Sequence, residues 1–175
     1  LAGVAGATRV EPVLAHYAGA SRRMGKQALT LSEEERGRLR TLDAEVALDG
    51  WGLDEAARAL LLLSLPQRDL DACAERVLAC YEKGDSREQE SWLRGLAVLP
   101  HPQRWAATAV DACRTNILPL FEAIACENPF PARHFPELNF NQMVLKALFS
   151  GVALARFVGL ARRANPELAR MADDY

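Results

Sequence analysis

What most restricts the fold of this chain is how few β-branched side chains it carries. Its 175 residues include 30 Ala and 26 Leu, against 10 Val, 2 Ile and 5 Thr. Ala and Leu lose little on entering a helix, whereas strands draw on β-branched and aromatic residues. No stretch alternates apolar and polar residues for the length of a strand. The expected fold class is therefore all-α, with about eight or nine helices in antiparallel pairs, arranged either as a HEAT- or TPR-like curved stack or as a compact bundle. The length suits a single domain, 1–175. A hydrophobic share of 50% beside a charged share of 25% can build a core unaided by disulfides or metals.

Local signals divide the chain further. Ser32 with Glu35 forms a capping box, predicting a helix that runs to about Leu48 with Leu39, Leu42 and Val46 inward. Asp49-Gly50-Trp51-Gly52 ends it. Asp54 is a candidate cap for the next helix, which reaches Pro66, is apolar nearly all round and should be central. Other helices are expected at about 11–19, 69–83, 86–98, 103–115, 119–126, 137–150, 152–163 and 166–173. Leu65-Pro66-Gln67-Arg68 is echoed by Leu99-Pro100 and Gln103-Arg104, and Asp71-Ala72-Cys73 by Asp111-Ala112-Cys113. The first pair lies 34 residues apart and the second 40, so a helix-pair repeat is hinted at without a kept register.

Charge and cysteine usage exclude some classes. The net charge of −2 offers no general attraction for nucleic acid. Residues 133–170 nevertheless hold six basic residues against Glu137 and Glu167, which is either a solvated face or an attraction for an anionic partner. Cys73, Cys80, Cys113 and Cys126 show neither a CxxC pair nor Cys/His metal spacing. They read as reduced, buried thiols in a cytoplasmic protein, with no metal and no cofactor expected. No apolar run reaches the roughly 18 residues of a membrane span. The opening LAGVAGATRV lacks a basic n-region and reads as a truncated native terminus, and the closing Tyr175 likewise reads as an edge. Trp51, Trp92 and Trp105 belong to helical contexts and are expected in the core. No GxSxG, phosphate-loop, GxGxxG or HExxH motif occurs.

The segment from Glu127 to Phe149 holds the best candidates for a site. Three of the nine prolines, Pro129, Pro131 and Pro136, stiffen its first part. A stiff loop can fix Glu127, Asn128, Arg133 and His134 in space, or it can serve only as a tight connector. In the helix that follows, Asn139, Gln142 and Lys146 recur at i, i+3 and i+7 and share one face. The rest of that helix is apolar, so the stripe needs partners, because a buried unpaired polar group costs about 1–3 kcal/mol. If the stripe faces Glu127, Arg133 or His134, the segment is a candidate ligand site, with His134 and Glu127 as an acid–base pair and Lys146 as an anion contact. If it meets only backbone, it is a clamp. No residue is assigned a catalytic role.

NPFPARHFPELNFNQMVLKALF, followed by GVALARFVGL and ANPELARMA, resembles the EboA family over the last third of the chain. Asn128, Pro129, Arg133, His134, Phe135, Pro136, Asn141, Gln142 and Lys146 match the long motif. The resemblance implies a place in a bacterial and algal gene cluster linked to making or moving a secondary metabolite. Other products of that cluster resemble a prenyltransferase, a TatD-like hydrolase, a sugar-phosphate cyclase and a TIM-barrel isomerase-like protein. It implies no activity and no catalytic residues. The expected role is a non-catalytic binding or adaptor protein, with other ebo-cluster proteins or a small-molecule metabolite as partners. The alternative is an enzyme or carrier acting on a phosphorylated or prenylated intermediate through a pocket around residues 127–146.

Overall fold

The computed structural model describes residues 10–174, and the readings of the opening segment before Val10 and of Tyr175 fall outside them. Every regular element in that span is helical, as the composition requires. α1 (Val10–Ala18) and α2 (Ala20–Met24) form an almost continuous rod, because Gly19 keeps right-handed helical angles and its carbonyl accepts from Arg23 N. α3 (Glu33–Leu42) begins at the expected Ser32 capping box, with Glu35 N on Ser32 Oγ at 3.2 Å and Ser32 N on Glu35 Oε2 at 2.8 Å. It stops at Leu42 instead of running on to Leu48. Asp43 is extended there and its carboxylate accepts from Glu45 N at 3.0 Å, a local turn that competes with another helical turn. Leu42 is consequently 85% exposed instead of inward, while Val46 reaches the core from outside any helix.

α4 (Leu53–Leu63) is central as expected, with α2 on one side and α6 (Ser86–Gly95) on the other. Its cap differs from expectation. Gly52 occupies the N-cap position and donates its N–H to Glu55, which frees Asp54 for another role. α5 (Leu70–Glu82) and α6 start where Asp69 and Asp85 accept backbone N–H groups, and α5 packs on both α1 and α6. The single helix expected over 103–115 is a 3-10 turn, Pro102–Arg104, followed by α7 (Ala106–Ala112). α8 (Leu118–Ala125) packs against α6, so α2 touches α4, α4 touches α6 and α6 touches α8.

The proline-rich segment is not a loop throughout. It contains α9 (Phe130–His134), whose first turn takes Pro131 at no cost, since those N–H groups have no helical acceptor. α10 (Glu137–Ser150) has the expected limits and ends at Gly151 with φ 69°, the left-handed conformation that glycine adopts most readily. The helix expected over 152–163 is instead a 3-10 turn, Leu154–Arg156, and the short α11 (Leu160–Arg163). Between them Gly159, at φ 73°, breaks the helical path. α12 (Pro166–Asp173) is capped by Asn165, which accepts from Leu168 N at 2.8 Å.

All three tryptophans are buried. Trp92 is 0% exposed, donates to Val77 O at 2.9 Å and meets Trp105 edge-on at 6.3 Å between ring centres. Beside this apolar core runs a buried ionic network that the sequence pattern did not announce. Asp54 and Arg58, one helical turn apart, are 0% and 1% exposed. Asp54 Oδ2 accepts from Ser21 Oγ at 2.7 Å, Arg58 Nη1 at 2.9 Å and Arg87 Nε at 2.8 Å, while Oδ1 accepts from Arg87 Nη2 at 2.9 Å. Arg58 also donates to Tyr17 O and to the hydroxyls of Ser21 and Ser91. Burial alone would raise the Asp54 pKa, but the hydrogen bonds from Arg87, Ser21 and Arg58 prevail and hold it well below the usual carboxylate range. The network locks α1, α2, α4 and α6 at fixed spacing.

Candidate functional site

The structure distributes the eight candidate residues over several places. Glu127 has φ 50°, and its carboxylate takes a fork from Arg156, with Nε at 2.7 Å and Nη2 at 2.9 Å. Asn128 is buried; it donates to Leu93 O and Ala123 O and accepts from Phe130 N, tying α6, α8 and α9 together. Arg133 points the other way and grips Asp43 and Glu45 at 2.6–2.9 Å, with Arg162 adding a bond to Glu45 at 2.7 Å. Hydrogen bonds from Arg133 hold the Asp43 carboxyl down at about 2. His134 lies against the Phe130 ring at 4.8 Å, and burial first, then the Arg133 charge, lowers its pKa. Among the described residues no hydrogen bond joins His134 to Glu127, so the acid–base pair is not assembled.

The stripe on α10 faces away from these groups. Lys146 donates to Cys113 O at 2.6 Å and to Thr115 O, and its ammonium sits 4.9 Å from the Phe121 ring centre. It clamps the α7–α8 connection and not the proline segment. Asn139 and Gln142 share with Lys146 a cleft of about 340 Å³ that also meets Arg114 and Asn116. Asn141 lies on the other side of α10, where it exchanges two hydrogen bonds with Asn165, at 3.0 and 3.2 Å. Glu127 and Asn128 border a separate polar cleft of about 350 Å³ with Trp51, Arg94 and Arg156. The polar groups of the segment therefore join to structural partners more than to one another.

The feature sequence reasoning missed is an apolar groove of about 310 Å³ between the α1–α2 rod and α4. Ala20 and Met24 supply apolar contacts from the rod, with His16 and Arg23 on the same wall. Leu53, Ala56, Ala57, Leu60 and Leu61 form the facing wall, at the i, i+3, i+4, i+7, i+8 spacing of one helical stripe. Leu29 also lines the groove. It is held there because Leu29 N donates to Trp51 O at 2.7 Å and Leu53 N to Gln27 O at 2.9 Å. The groove lies beside the ionic network, which fixes the distance between its walls through the Ser21–Asp54 bond. α4 thus turns charges inward, while Leu60 stands 56% exposed over the groove. The signal was present in the all-round apolar character of α4, but that pattern ordinarily means burial.

The four cysteines are free and buried, and burial pushes Cys80 and Cys113 up to about 12 and Cys126 to about 11. No group of three or more His, Cys, Asp or Glu side chains with metal-binding geometry occurs among the described residues, nor is any helix there long and apolar enough to cross a membrane. The family model described as metabolite traffic protein EboA matches residues 3–175. The chain belongs to the EboA family. The match spans the groove-forming helices as well as the motif in the last third, so the whole EboA region carries both features. Comparison with curated proteins and with solved structures returns no match for this EboA chain.

Proposed function

We propose that this chain is a non-catalytic binding protein that holds a small metabolite during its traffic, and that the groove between the α1–α2 rod and α4 is where it does so. The observation carrying this reading is the groove itself: about 310 Å³, apolar on both walls, with His16 and Arg23 as its polar groups. Small-molecule sites have this make-up, at volumes of about 300–1,000 Å³. The description of the family as a metabolite traffic protein supports it. So does the commitment of Glu127, Arg133 and Lys146 to salt bridges and carbonyls. One helical domain acting in the cytoplasm fits four buried, unbridged thiols. Native mass spectrometry of the protein purified from its own host tests the reading. A bound small molecule is expected, and L60D should lose it; a ligand-free spectrum at full occupancy of the fold would overturn the proposal.

A second reading, that of a carrier or enzyme working through residues 127–146, draws on the two polar clefts bordered by Glu127 with Asn128 and by Asn139, Gln142 and Lys146. It expects Q142A, and not L60D, to release the bound molecule. The other ebo-cluster proteins are the proposed protein partners. Co-purification of tagged cluster products with this chain tests that, and consistent failure counts against an adaptor role.

A further inference from the structure

We infer that the groove takes an amphipathic anion: a flexible apolar chain ending in one carboxylate or phosphate. The inference rests on the reading that the groove holds a small molecule, and adds the chemistry of that molecule. The walls specify its tail. Leu53, Ala56, Ala57, Leu60 and Leu61 present only apolar atoms beyond the backbone, and Met24, 47% exposed, adds an adaptable thioether. A rigid polar metabolite would leave its own hydrogen-bonding groups unmet against such walls.

The rim specifies the head. His16 and Arg23 lie seven positions apart on the α1–α2 rod, so both sit on the side that carries Ala20 into the groove. His16 Nδ1 lies 2.7 Å from Pro12 O; a carbonyl only accepts, so Nδ1 carries a proton and Nε2 is the nitrogen left for a ligand. The Arg23 side chain has no hydrogen bond or ion pair among the described residues, and the same holds for the side chains of Arg22 and Lys26, its neighbours in sequence. Most arginines of this chain pair with carboxylates, Arg36, Arg87, Arg133 and Arg156 among them, whereas Arg40 and Arg68 share with Arg23 a side chain without a partner among the described residues. Among the described residues no Asp or Glu lines the groove. An unpaired guanidinium on the wall of an apolar slot, with His16 beside it and no carboxylate among the described lining residues, matches a negative head on an apolar tail.

The test uses the full chain and three ten-carbon probes below their aggregation limits: decyl phosphate, decanoate and decanol, titrated by calorimetry. Decyl phosphate and decanoate should bind more tightly than decanol, and affinity across shorter and longer alkyl phosphates should rise about fourfold per methylene until the slot is full. R23Q should weaken decyl phosphate about tenfold and leave decanol unchanged. L60D, a change at an exposed position, should weaken all three. Equal binding of decanol and decyl phosphate, with R23Q silent, would overturn the anionic head while leaving the groove as a small-molecule site. No binding of any probe would overturn both. Sedimentation with phosphatidylcholine–phosphatidylglycerol vesicles, in the absence of binding to monomeric probes, would assign the patch to a bilayer surface instead. A dimer that L60D dissociates, again without probe binding, would assign it to a second copy of the chain.

Discussion

Replacing Asp54 by Asn leaves the side-chain volume almost unchanged and removes the charge at the centre of the buried network. Removing one partner of a buried ion pair costs about 3–5 kcal/mol, because the other charge stays buried without compensation. Two features of this network set the position within that range. Arg58, 1% exposed, would keep its bonds to Tyr17 O, Ser21 and Ser91 but lose its only carboxylate. The Arg87 side chain is 37% exposed and recovers hydration, so its share is small. The expected loss is about 3 kcal/mol, a lowering of Tm by about 6–12 °C for a chain of this size. Urea denaturation read by tryptophan fluorescence measures it, with Trp92 and Trp105 in the core as reporters. The folded-state pKa of Asp54 is depressed, so its contribution is complete above the unfolded value near about 4 and disappears as pH falls toward the lower folded value. Wild type should therefore lose stability on acidification below about pH 4 more steeply than D54N. A D54N cost under about 1 kcal/mol at unchanged m, or parallel acid profiles for the two proteins, would refute this account of the network.

R133M should raise the Asp43 pKa from about 2 toward the ordinary carboxylate range, a shift visible in carboxyl-carbon NMR titrations. Its cost in stability should stay within about 1 kcal/mol, since both side chains are near one-third exposed. K146M removes the donor from Cys113 O and Thr115 O, and should destabilise by about 1–3 kcal/mol and speed amide exchange in the α7–α8 connection. G159A should cost about 1–3 kcal/mol in urea melts, because φ is 73° and the added Cβ would lie 2.8 Å from Ala132 Cβ. Native Cys80 and Cys113, raised to about 12, should resist a thiol reagent at pH 8, while urea exposes all four cysteines to labelling.

Much of the fold was legible because it depends on local rules. The capping box at Ser32 and the run of helix formers over 137–150 act within one or two turns; the first gave a helix start that matches and the second both limits. Errors came where a side chain found a more distant or competing partner. Asp43 turns back on Glu45 N and binds Arg133, so α3 stops early. Asp54 is taken by arginines of α4 and α6 instead of by a helix end. Of the α10 stripe, read as needing partners, Lys146 found them while Gln142 is exposed to solvent; spacing along α10 shows only which residues share a face and not what that face meets. Lys146 found carbonyls at the end of α7, and Arg133 found carboxylates far earlier in the chain. The groove escaped notice because its two walls come from separate stretches, and an apolar stripe looks the same whether it packs or stays open.

The grip of Arg133 and Arg162 on Asp43 and Glu45 joins positions separated by 88 to 117 residues. A chain emerging from the ribosome cannot close this brace until α11 has been made. The groove walls and the ionic network, by contrast, are complete once α6 is out. Folding during synthesis should therefore begin with a groove-bearing N-terminal body, to which the last third is later latched. A nascent chain arrested after α6 would already present the groove, while Asp43 and Glu45 would still be waiting for their arginines.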